Sequence, residues 1–98
     1  MADKPPRLRT IVREAAFELA LRNLIERPEE ADEFLENAEH ALSRNPRIGT
    51  KVTLSGNPVW FLPMIREARI KHPLIMYYTF DTDHVYLLHI QYEIPVYN

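Results

Sequence analysis

Residues 73–92 read PLIMYYTFDTDHVYLLHIQY. Two runs of aliphatic and aromatic side chains flank a short polar break, Asp81-Thr82-Asp83. Such runs, bounded by turn formers, predict two antiparallel strands over about 74–80 and 84–92. Successive strand residues point to opposite faces. Strict alternation therefore puts Met76, Tyr78 and Phe80 on one face with Tyr86, Leu88 and Ile90, where helices would pack. It puts Ile75, Tyr77 and Thr79 on the other face with Val85, Leu87, His89 and Gln91. That second face is still largely apolar, and soluble monomers rarely leave so large a patch in water. One expected cover is a partner chain bound to Ile75, Tyr77, Val85, Leu87 and Gln91. The alternative is self-coverage, by the loop of residues 49–58 or by the C-terminal tail.

Working outward, residues 13–26 repeat Phe17, Ala20, Leu21, Leu24 and Ile25 at helical spacing. Pro28 interrupts and suits the first turn of a second helix, where the missing N–H costs nothing. Glu29, Glu30 and Asp32 follow, at the end where a helix favours negative charge. The second helix is predicted from 28 to about 44, with the stripe Ala31, Phe34, Leu35, Ala38, Ala41 and Leu42. Asn45-Pro46 stops it, because the residue before proline avoids helical geometry. Residues 7–12 (RLRTIV) read either as a short strand or as the first turns of the first helix. Residues 46–58 hold both glycines and two prolines and read as a loop. Residues 59–65 (VWFLPMI) are apolar on both sides, and Pro63 predicts an edge position or a bulge. Helices first and strands last predict an α+β fold, a helical hairpin on a three- or four-stranded, mostly antiparallel sheet. The chain reads as one domain over 1–98, with a loose leader at 1–6 and a tail at 93–98.

Composition narrows the function classes. Apolar residues make up 46% of the sequence, which suits a folded domain rather than a disordered one. Without cysteine there is no disulfide framework and no thiolate metal site, which fits a cytoplasmic protein. The four histidines lack paired ligand spacing, so no metal or other cofactor is expected. No segment approaches the length of a membrane span, and the first residues lack the apolar core of a signal peptide. A net charge of −2 removes general attraction to nucleic acid, although local basic patches remain. One is the leader, with Lys4, Arg7, Arg9 and Arg13. Another is the connector carrying Arg66, Arg69, Lys71 and His72. His89 titrates near neutral pH and can serve as general acid or base, and Tyr92 can stack on a base or position a phosphate.

Three stretches carry a family likeness: SRNPRIGTKV at the end of the second helix, MYYTFD, and HVYLLHIQY. With the element order, they resemble the RelE/ParE toxin superfamily over about residues 9–92. The resemblance implies the toxin half of a bacterial type II toxin–antitoxin (plasmid stabilisation) pair. Such a toxin inhibits growth by cleaving messenger RNA on the ribosome or by poisoning DNA gyrase, and is silenced by a cognate antitoxin. Self-association as a homodimer is also compatible with it. RNA-cleaving members open the third strand with an arginine, where this chain has Leu74 or Ile75. They close the last strand with another, where this chain has Gln91 to Glu93. A nuclease would therefore draw on Arg66, Arg69, Lys71, His89 and Tyr92. The alternative is a non-catalytic interaction protein on the same fold.

Overall fold

The computed structural model describes residues 8–54, 56–64 and 73–93. Strand β1 (Thr10–Arg13) leads into α1 (Ala15–Leu24) and α2 (Pro28–Arg44), and a 3-10 turn at Pro46–Ile48 follows. Strands β2 (Thr50–Leu54), β3 (Asn57–Pro63), β4 (Leu74–Phe80) and β5 (His84–Tyr92) complete one five-stranded sheet. Its spatial order is β1-β5-β4-β3-β2. The last four strands form an antiparallel meander, and β1 lies parallel to β5. The α+β class holds; the sheet has one or two strands more than the sequence reading gave it.

The two extra pieces have physical reasons. Residues 10–13 form a strand because β5 offers them a ladder, pairing Thr10 with His84 and Arg13 with Leu87. Arg13 thus ends β1 instead of opening α1. Residues 50–54 were expected to be loop, yet they pair with 57–61. Gly56 makes the tight reversal, adopting φ +82, which residues with a Cβ rarely hold. This stretch lies within the sheet and does not fold over it, which removes one of the expected covers. Pro63 ends β3, beyond the reach of β2, so its missing N–H interrupts no pairing on that side.

Helix α2 begins with Pro28 at its first turn and ends where Asn45 turns extended before Pro46. Both helices lie on one face of the sheet. Phe17 and Leu21 of α1 and Ala31, Phe34, Leu35 and Leu42 of α2 meet Leu74, Met76, Tyr78, Val85, Leu87 and Ile90. Arg13 ties the layers together from the sheet side. Its guanidinium donates to Glu39 at 2.8 and 2.9 Å and to Asp32 at 2.7 Å, both on α2. Those bonds, chiefly the one to Glu39, hold its proton more tightly than usual.

The SRNPRIG stretch is a clamp. Asn45 Oδ1 accepts from the Arg47 amide at 3.2 Å. The buried Tyr78 hydroxyl donates to Pro46 O at 2.6 Å and accepts from the Gly49 amide at 3.1 Å. Burial pushes the Tyr78 phenol above its ordinary pKa. The end of α2 is thereby fixed to the middle of β4.

Candidate functional site

The site follows from the register of β4 on β5. Met76 faces Ile90 and Tyr77 faces His89, but Tyr78 faces Leu87. Leu88 is the extra residue, a β-bulge that reverses the phase of the strand. Before the bulge, Val85 and Leu87 point into the core, each at 0% exposure. After it, Ile90 points into the core, while His89 and Gln91 are exposed on the opposite face. The expectation that Val85 and Leu87 bind a partner is therefore corrected: strict alternation through Leu88 assigned them to the wrong face. The sequence does not mark the bulge: Tyr86, Leu88 and Ile90 are also apolar and satisfy an unbroken strand, whereas the observed core set of Val85, Leu87 and Ile90 requires a change of phase.

The face away from the helices carries a connected aromatic and polar group. Tyr77 stacks on His89 with ring centroids 6.3 Å apart, and Phe61 lies 6.4 Å from Tyr77. His89 Nε2 lies 3.2 Å from Gln91 Oε1, and Gln91 Nε2 donates to Tyr77 Oη at 3.4 Å. Three neighbouring strands thus supply one cluster whose histidine is exposed yet held by a ring and an amide. Ile75 lies on the same face at 9% exposure. Phe61 was not singled out in the sequence, although its alternation with Trp60 and Leu62 marks it as facing outward. No helix covers this face among the described residues.

The other expected site residues are dispersed. Tyr92 pairs with Leu74 at the end of β5, on the helix side of the sheet, so it is not brought to His89. Arg66, Arg69 and Lys71, with His72, lie outside the described residues. Among the described residues, no three His, Asp or Glu side chains converge as metal ligands, and no helix is long and apolar enough to cross a membrane. A second concavity lies on the helix side. Phe34, Asn37, Ala38 and Ala41 of α2 face Leu62, Pro63 and Met64 across a cleft of about 300 Å³.

At the hairpin end, Asp81 organises the turn. Its Oδ1 accepts from the amides of Asp83 at 2.8 Å and His84 at 2.7 Å, and its Oδ2 accepts from the Tyr86 hydroxyl at 3.0 Å. These bonds, the Asp83 amide first, hold the Asp81 carboxyl below its ordinary range. The same carboxylate raises the Tyr86 phenol. A carboxyl with a depressed folded pKa stabilises the fold above its unfolded pKa, and that contribution is lost as pH falls through the folded value. We expect an NMR titration to place the Asp81 carboxyl below an unstructured aspartate. Asp81→Asn should flatten the acid limb of the stability profile. An unshifted Asp81 would rule out this role for the turn.

No protein-family model matches the sequence, and no curated protein matches it. A chain of the toxin–antitoxin complex RelBE2 from Mycobacterium tuberculosis superposes with a TM-score of 0.65 at 19% identity. The match covers 93% of this chain and 98% of that one. The fold is RelE-like.

Proposed function

We propose that this chain is the toxin half of a type II toxin–antitoxin pair, held silent by an antitoxin. The antitoxin segment covers the Phe61–Tyr77–His89–Gln91 face and reaches the α2–β3 cleft; once released, the toxin arrests growth through translation or DNA gyrase. The observation that supports this most is the end-to-end likeness to a chain of the RelBE2 complex. The open aromatic face adds to it, since such a surface is suited to a docked polypeptide. Inducing the full chain alone should arrest growth. Co-expressing the product of the adjacent reading frame should relieve the arrest and co-purify with it. A Phe61→Asp/Tyr77→Asp variant should bind that product at least about 100-fold more weakly, as for loss of a central anchor. If the native chain caused no arrest and captured no product of the adjacent frame, the proposal would be overturned.

A second reading, a partner-binding protein without nuclease activity, is favoured by one observation. None of the described residues that alternate onto the open face is Lys or Arg. Phosphoryl chemistry needs cations on the developing charge. In the cleaving reading, His89 takes the proton of a ribose 2′-hydroxyl as it attacks the adjacent phosphate, with Arg66 and Arg69 opposing the charge and Lys71 as the rival base. The bond from phosphorus to the 5′-oxygen of the next nucleotide breaks, leaving a 2′,3′-cyclic phosphate and a 5′-hydroxyl protonated from water. Cleavage of ribosome-bound message that disappears in His89→Ala supports the enzyme. Gyrase-linked DNA breaks, or capture without cleavage, support the binder.

A further inference from the structure

We infer that the helix-side corner of the sheet at Phe80 is a binding site for the phosphodiester backbone of single-stranded nucleic acid, held by Arg9, Arg47 and Lys51 around Trp60. Two guanidinium groups share one ring: Arg9 Cζ lies 5.6 Å and Arg47 Cζ 5.5 Å from the centroid of Phe80. Each is placed by structure. Arg9 Nε donates to the carbonyl of Asp81 at 2.8 Å. Arg47 sits in the turn that Tyr78 and Asn45 clamp. The ring fixes both cations by cation–π attraction.

Bringing two like charges to one ring is unfavourable unless an anion neutralises them. Asp81 gives Arg9 only its main-chain carbonyl, while its carboxylate is engaged by Asp83, His84 and Tyr86. Neither Arg9 nor Arg47 has a carboxylate within ion-pair distance among the described residues. Trp60, half-buried, lies 5.3 Å from Phe80. Lys51 is exposed and stands opposite Trp60 in the β2–β3 register, so it shares this face. Cations interleaved with aromatic planes are what single strands use, charge on the backbone and rings on the bases. An acidic peptide would use the charge but not the rings.

The test is fluorescence anisotropy of the full-length chain with a 5′-labelled 12-nucleotide oligouridylate at 50–200 mM KCl. Binding should weaken with salt. Arg47→Ala should lower affinity about tenfold, as for one lost charge-assisted contact. It should also reduce the logarithmic salt slope by about 0.7, the share of one single-strand phosphate. Trp60→Leu should lower affinity with the slope unchanged, and Arg22→Ala on α1 should change nothing. No binding by the native chain, an unchanged slope in Arg47→Ala, equal loss in Arg22→Ala, or equally tight binding of labelled oligoglutamate would each overturn the inference. Oligonucleotide binding and antitoxin capture are separate readouts, so this inference stands or falls apart from the toxin proposal.

Discussion

Leu87→Ala is expected to cost about 2–5 kcal/mol, and Leu88→Ala far less. Leu88 is the residue that the register leaves over between Tyr77–His89 and Tyr78–Leu87. Because of this bulge, Leu87 points into the core at 0% exposure while Leu88 is only half-buried on the other side. Truncating a fully buried leucine removes its transfer free energy and leaves a cavity. For a domain of this size that loss is a large part of total stability. Urea denaturation followed by tryptophan fluorescence reads the effect. Strict alternation without a bulge would reverse the order, so a larger loss for Leu88→Ala than for Leu87→Ala would show that the bulge does not set the faces.

Gly49→Ala is expected to cost about 3 kcal/mol. A Cβ at this position would lie 2.5 Å from the carbonyl oxygen of Phe61 and 2.5 Å from the hydroxyl of Tyr78. The first belongs to the backbone of a central strand and cannot swing away. The second can move only by giving up its bonds to Pro46 and Gly49. Overpacking of about 1–3 kcal/mol is thus joined by a lost buried hydrogen bond of about 1 kcal/mol or more. Because the two residues share one space, adding Tyr78→Phe to Gly49→Ala should cost less than the sum of the single changes. A urea midpoint for Gly49→Ala matching that of the native chain would refute this close-approach account.

These two sites also mark how far the sequence could be read. Both helices were legible because their apolar residues recur at one period and Pro28 and Asn45-Pro46 bound α2 unambiguously. Strands β4 and β5 were legible as elements. The faces of β4 were legible throughout, but those of β5 only from His89 onward, because a bulge is a change of phase and alternation carried across it misplaces Val85 and Leu87. Strand β2 was hidden by composition. Gly49 and Gly56 flank it and suggest a loop, whereas one admits a close backbone approach and the other turns the hairpin. Strand β1 was ambiguous because its pairing partner lies more than seventy residues away. Of the candidate site, Ile75, Tyr77, His89 and Gln91 were correctly placed on one face, since all lie on the expected strands on the side of the bulge that alternation assigned correctly. Phe61 went unnoticed because its strand is apolar on both sides and no polar neighbour distinguishes the faces. The Arg9–Arg47–Phe80 group was beyond sequence reasoning, because three distant segments meet there.

The parallel pairing of β1 with β5 has a consequence for biogenesis. The first strand made is completed by the last, so the topology has high contact order at this edge and is expected to fold slowly for its length. During synthesis the helical hairpin emerges with Phe17, Leu21, Phe34 and Leu35 exposed, and it stays so until β5 clears the exit tunnel. A truncated chain ending before His84 would lack both the neighbour of β1 and half the floor of the core, leaving a sticky fragment for chaperones and proteases rather than a partly active domain.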